Sequence, residues 1–289
     1  MVTKIQRIVV ATDFSDLASA AVRRATELAA LHGASLDIVH AFPVLLQLDA
    51  AFAGGDWPAR LQQDAEHRLQ QLRSDAAALG VNCATHLMHG SAHRMVGEVV
   101  ERVRPDLIVI GAHARGLVQQ FFLGGTAARI LASAPCPVLV VRYAFADSYR
   151  RALAAIDFGP RSPALLDAAM RMGSQVSLTV AHAFLAPMEA RMRMHGSHEA
   201  ELRRHIDDAA ATAQRAMAVC LEWAGRSSLL PSARVVHGDP NPALPDLARE
   251  IDADLIVVGR HSGSRMGEAI LGSVPRFLAY NAPCDVLVV

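Results

Sequence analysis

Cysteine is scarce in this chain: Cys83, Cys136, Cys220 and Cys284 are the only four in 289 residues, and none stands in a CxxC or zinc-like spacing. This excludes a disulfide scaffold and a cysteine-based metal module, and it fits a reduced compartment. An excess of one charge is lacking too, because 28 basic and 28 acidic residues cancel. No electrostatic footprint for nucleic acid or an anionic membrane is visible at the whole-chain level, so an anionic ligand must be held locally. Long hydrophobic runs are also missing, and no apolar stretch approaches the roughly 20 residues needed to cross a bilayer. The first residues, Met1 to Arg7, run straight into a short apolar segment with no signal-peptide pattern. The expectation is a soluble, cytoplasmic protein without a nucleic-acid or membrane partner.

Several nucleotide motifs are absent as well. Gly111 and Gly116 have the Walker A spacing, but Leu117-Val118 occupies the place where Lys-Ser/Thr would hold terminal phosphates and magnesium. No G-x-G-x-x-G follows a first strand, which disfavours a dinucleotide-binding dehydrogenase. An adenylating enzyme would need a Ser-Gly-Gly loop near the first strand or a His-x-Gly-His signature, and neither occurs.

What the chain does have, it has twice. Val10-Ala11-Thr12-Asp13-Phe14 returns as Ala154-Ala155-Ile156-Asp157-Phe158, and Leu107-Ile108-Val109-Ile110-Gly111 as Leu255-Ile256-Val257-Val258-Gly259. Leu123-Gly124-Gly125-Thr126 is echoed by Leu271-Gly272-Ser273-Val274, and Ala134-Pro135-Cys136 by Ala282-Pro283-Cys284. Asp157 follows Asp13 by 144 residues and Gly259 follows Gly111 by 148. A period this long means two whole domains, since solenoid repeats span only about 20–50 residues. Residues 1–143 and 151–289 are the expected domains, joined by a short linker.

Within each half, short apolar runs alternate with longer segments of helical period, the pattern of a parallel α/β sheet. In the first half strands are expected near 5–11, 35–41, 82–88, 106–110 and 137–142, with helices near 15–32, 58–79, 92–103 and 126–133. In the second, strands are expected near 151–156, 175–181, 233–237, 254–258 and 285–289, with helices near 162–172, 197–224, 242–251 and 273–280. The stretches 43–57 and 184–198 read as the least regular, and the methionines of Arg191-Met192-Arg193-Met194-His195 are candidates to cover a crevice. The runs Val138–Val141 and Val286–Val289 each follow a proline and read as apolar edge strands. Such edges need a partner, so the halves are expected to dock through them as an internal pseudo-dimer, with a homodimer of the whole chain left open.

The chemistry-bearing candidates lie where strands end. Asp13 and Asp157 close the first strand of each half, where a carboxylate either faces the ligand crevice of an open α/β sheet or caps the next helix. Gly111 with Gly124, and Gly259 with Gly272-Ser273, bracket a loop that opens a helix; such glycines either let backbone approach phosphate or only make a turn. Ser273 is either a hydroxyl donor or the N-cap of that helix. His86, His89 and His93 fall close together, as do His195 and His198, but no carboxylate completes a ligand signature, so surface or pocket-lining roles are favoured over zinc. His113 and His261 follow Gly111 and Gly259 by two and read as loop residues that add charge near phosphate when protonated.

Taken together, Val9-Val10-Ala11-Thr12-Asp13-Phe14-Ser15, Val39-His40-Ala41, the Leu-Ile-Val-Ile-Gly strand and the closing Ala-Pro-Cys-Pro-Val-Leu-Val-Val make the chain resemble a tandem member of the universal stress protein family over nearly its whole length. The resemblance implies a five-stranded parallel open sheet per domain, in the order 3-2-1-4-5, with helices on both faces. It also implies an adenine-nucleotide crevice in the ATP-binding branch. There Asp13 and Asp157 would meet the adenine or ribose end, with Thr12, Ala155 and Ile156 beside them and Ala41 and Ala183 near the base. Ile110-Gly111 and Val258-Gly259 would line the floor. That branch carries G-x₂-G-x₉-G-(S/T) over the phosphates. Here the positions hold Gly111, Ala114, Gly124 and Gly125, with Thr126 one place later, and Gly259, Ser262, Gly272 and Ser273, followed by Val274.

The second half departs less, so it is the expected site for ATP or an AMP-like nucleotide, with or without magnesium. No general base, nucleophile or metal set supports efficient catalysis, which leaves a sensor or signalling role and, at most, slow ATP hydrolysis. The alternative is a nucleotide-independent module that binds protein partners through degenerate pockets, and Ala114, Gly125 and Ser262 are its evidence.

Overall fold

The computed structural model describes residues 4–42, 57–112, 123–142, 148–173, 175–196, 198–224, 231–260 and 271–289. Ser262, His113, His261, the Gly54-Gly55 pair and most of the linker lie outside these residues. The chain divides into two compact units, Thr3–Ser148 and Tyr149–Leu287.

The first unit runs β1 (Arg7–Thr12), α1 (Asp16–His32), β2 (Ser35–Phe42), α2 (Trp57–Ala78), β3 (Cys83–His89), α3 (Ala92–Val103), β4 (Leu107–Gly111), α4 (Gly125–Ser133) and β5 (Val138–Val141). Its strands are parallel and ordered β3-β2-β1-β4-β5. The order reverses between β1 and β4, and in open α/β sheets ligand crevices form at such a switch point, outside the carboxyl ends of the strands. The continuous apolar runs of β1 and β4 are buried, with Ile8, Leu107 and Ile108 among the largest fully enclosed side chains, because helices cover them.

The second unit repeats the plan: β6 (Arg151–Ala155), α5 (Ser162–Arg171), β7 (Ser177–Phe184), α6 (Glu189–Met194), α7 (Glu199–Ala224), β8 (Ser232–His237), α8 (Pro240–Glu250), β9 (Leu255–Val258), α9 (Ser273–Asn281) and β10 (Asp285–Val288). Its order is β8-β7-β6-β9-β10, with its switch point between β6 and β9. The expected elements form with ends displaced by at most a few residues. The difference is α6, which lies inside the stretch read as irregular. Its start is fixed by Glu189, whose side chain accepts from the Ala186 amide at 3.2 Å and from Arg193 one turn on at 2.9 Å.

Local chemistry sets the boundaries. Ser15 caps α1 by accepting from the Ala18 amide at 3.3 Å, and Gly33 ends it in the left-handed conformation at φ 68°. Asp106, just before β4, accepts from the amides of Gln6 and Arg7 at 2.8 and 3.0 Å. Asp254, just before β9, does the same for Arg150 and Arg151 at 2.7 and 3.1 Å. Arg7 and Arg151 return the contact by donating to the carbonyls of Val103 and Asp252 at 2.9 and 2.7 Å. In each unit this double clasp fixes the two strands that flank the crevice.

Candidate functional site

Each unit opens a cavity at its switch point. The first, about 110 Å³, is bordered by Ala11, Thr12 and Asp13 at the end of β1, Val39 and Ala41 on β2, Ile110 and Gly111 on β4, and Gly124, Thr126 and Ala127 at α4. The second, about 230 Å³, is bordered by Ala155, Ile156 and Asp157 at the end of β6, Ala181 to Ala183 on β7, Val258 and Gly259 at the end of β9, and Val274 and Pro275 on α9. Arg161, Ser162 and Leu165 of the α5 segment, with Pro240 and Leu244 of α8, complete it. All seven residues expected in the first site therefore converge: Thr12, Asp13, Ala41, Ile110, Gly111, Gly124 and Thr126. In the second, Ala155, Ile156, Asp157, Ala183, Val258, Gly259 and Val274 converge, while Gly272 and Ser273 do not border the cavity.

The strand-end aspartates sit in matching turns. Asp13 Oδ1 accepts from the Ser15 amide at 3.0 Å and Asp157 Oδ1 from the Gly159 amide at 2.9 Å. Between them Phe14 and Phe158 adopt left-handed backbone at φ 59° and 60°, which is unfavourable for a bulky L-residue and persists only when surroundings fix it. His40 and His182 supply part of that support. Their rings lie 4.3 and 4.2 Å from Phe14 and Phe158, and each Nδ1 donates to the carbonyl of Thr12 or Ile156 at 2.8 Å. A ring nitrogen facing a carbonyl must carry the proton, so the bond fixes the tautomer. His182 itself borders the second cavity. Sequence reasoning gave neither histidine a site role, although the repeat of His-Ala-Phe at 40–42 and 182–184 carried the signal.

The glycines have structural duties of their own. A Cβ on Gly111 would stand 3.1 Å from backbone atoms of Leu17 and Ala18, so this glycine lets β4 pack against the start of α1. A Cβ on Gly272 would stand 3.2 Å from the Arg260 carbonyl, the same oxygen that accepts from the Gly272 amide at 3.0 Å. Gly124 donates to Ala112 in the same way at 2.8 Å. Gly272 is also the N-cap of α9, so Ser273 is the first helical residue rather than the cap, and it is exposed. On the first side the Thr126 hydroxyl residue does border its cavity.

The histidines singled out by spacing go to separate places. His86 Nε2 donates to Asp37 Oδ1 at 2.6 Å and its Nδ1 accepts from Arg102 at 3.1 Å, while His89 packs edge-on against Phe42. Among the described residues no three His, Cys, Asp or Glu side chains gather as a metal set. Met192 and Met194 of α6 do not border the second cavity, against the expectation that they cover it. At the end of β8, His237 donates to Glu189 Oε2 at 2.8 Å. That bond, with those from Arg193 and the Ala186 amide, lowers the Glu189 carboxyl from 4.5 to about 2 against the opposing effect of burial. Burial pushes the Cys83 thiol up to about 11, with the Asp37 carboxylate adding to the effect, so it is a poor nucleophile.

A sequence model described as the Universal stress protein family matches residues 4–142 and again 148–289. The chain belongs to that family. Universal stress proteins of single-domain length align with one half at a time. One from Thermus aquaticus is 36% identical over 138 residues, which is 47% of this chain and 97% of the relative. Another from Methanocaldococcus jannaschii is 28% identical over 144 residues, 47% of this chain and 82% of the relative. The crystal structure of a universal stress protein from Archaeoglobus fulgidus matches with a TM-score of 0.72 at 18% identity, covering 98% of this chain and 97% of that chain. At such identity the likeness speaks for the fold. Among the described residues, no helix of this universal stress protein is long and apolar enough to cross a membrane.

Proposed function

We propose that this universal stress protein binds an adenine nucleotide at the carboxyl edge of its sheets, preferentially in the second unit, and acts in the cytoplasm as a stress sensor or signalling module. The observation that carries the reading is the cavity at the second switch point, roofed by apolar side chains and edged by Asp157, with about twice the volume of the first. The apolar walls suit a base and the strand-end carboxylate suits a ring amino group or a ribose hydroxyl. Among the described residues, neither cavity offers a nucleophile and base in hydrogen-bonding reach, which supports binding without turnover. The test is to extract the purified protein, identify any copurified nucleotide by mass spectrometry, and titrate the stripped protein with ATP and AMP by calorimetry. Millimolar ATP without heat of binding would sink the proposal.

A second reading keeps the fold and drops the ligand. It is favoured by the duties of Gly111 and Gly272, which packing and a loop-closing hydrogen bond account for without any phosphate. In that case the paired domains serve protein partners, and crosslinking from stressed cells recovers those partners from a cavity-filled variant such as Ala183→Phe as well as from wild type.

A further inference from the structure

Ser162 is the first residue of α5, is 4% exposed, and borders the second cavity. Its Oγ has no hydrogen-bond partner among the described residues. A hydroxyl buried in this state is costly, and native structures keep few of them without a reason outside the fold itself. Arg161, the preceding residue, borders the same cavity from an exposed position. Part of the backbone here is committed: the Ser162 amide donates to the Gly159 carbonyl at 3.0 Å, Pro163 has no N–H, and the Leu165 amide donates to Arg161 at 3.1 Å. Arg161 and Ser162 add side-chain donors. At the corresponding positions, 144 residues earlier, the first unit holds Leu17 and Ala18, and Ala18 borders its cavity.

Resting on the nucleotide reading above, we propose that Arg161 and Ser162 form a phosphoryl-oxygen subsite in the second unit that the first unit lacks. A guanidinium only donates and matches anionic oxygens, a serine hydroxyl adds one donor, and the positive end of α5 favours negative charge beside it. Arg161 also offsets the Asp157 carboxylate, which borders the cavity and would otherwise repel a phosphate. The subsite thus distinguishes a phosphorylated nucleoside from the nucleoside itself, and it assigns the preference for the second unit to α5 rather than to Gly272-Ser273.

Calorimetry on the full-length protein, with adenosine, AMP and ATP against wild type, Ser162→Ala and Arg161→Gln, tests this. Both variants should bind AMP and ATP about tenfold or more weakly, the worth of one hydrogen bond to a charged group, and bind adenosine as wild type does. The ligand-free thermal midpoint of Ser162→Ala should not fall, because the hydroxyl it removes bonds to nothing among the described residues. Wild type that binds AMP, with both variants equal to it or with adenosine weakened just as much, overturns the subsite and leaves the nucleotide site standing. A lowered ligand-free midpoint in Ser162→Ala overturns it as well. Wild type that binds none of the three ligands overturns both.

Discussion

Asp13 and Asp157 each accept from the backbone amide two residues on, which places the carboxylate in the turn at the cavity edge rather than at the helix cap. Removing Asp157 should weaken ATP binding by roughly ten- to a hundredfold, the worth of one charge-assisted hydrogen bond, and by more than removing Asp13. Calorimetry on Asp157→Ala and Asp13→Ala measures both, and a larger loss in Asp13→Ala would place the main site in the first unit. Gly111→Ala tests packing rather than binding. Its new methyl would press on α1 backbone at 3.1 Å, so chemical denaturation should show a loss of about 1–3 kcal/mol. Glu189 makes stability depend on pH. Its carboxyl takes up a proton at about 4.5 when unconstrained and only at about 2 in the folded chain. As pH falls through that window the unfolded state protonates first, so the contribution of Glu189 is present above pH 4.5 and lost toward pH 2. Thermal melts of Glu189→Gln against wild type should therefore converge as the pH drops across it.

At the scale of elements, the alternation of apolar runs and helical segments marks the strands of both units, because parallel strands buried on both faces are apolar throughout. Short α6 escaped that reading. Its six residues have no apolar stripe, and it starts where a buried glutamate meets His237, a residue 48 positions away that no local pattern reveals. The clasps at Asp106 and Asp254 likewise join strands about 100 residues apart. Each aspartate satisfies two strand-end amides, so Asp106→Ala and Asp254→Ala should each cost about 1 kcal/mol in denaturant unfolding, reduced from the buried value by solvent access. Equal stability of variant and wild type would show the amides content with water.

At the scale of the whole molecule, duplication decides the most. Two family matches and two compact units, each with five parallel strands and a buried core, predict that residues 4–142 and 148–289 each fold when expressed separately. Cooperative thermal melts with mixed α/β circular dichroism are the expected outcome, and a half that aggregates or melts without cooperativity counts against it. The docking expected from the apolar final strands adds a second readout, since separated halves should then self-associate in size-exclusion chromatography. Strictly monomeric halves would argue against that docking.

The sequence by itself determined the repeat, the strand order through the family resemblance, and the strand-end residues that converge on the two cavities, because all of these follow from local pattern and internal comparison. Only the tertiary structure decided which glycines are needed for close packing, that Gly272 and Ser273 stand off the second cavity, and that His40 and His182 hold the phenylalanine turns. It alone showed Ser162 buried without a hydrogen-bond partner among the described residues. The physical reason is that burial, register and hydrogen-bond satisfaction depend on segments far apart in the chain, and spacing along one segment does not encode what another will bring to it.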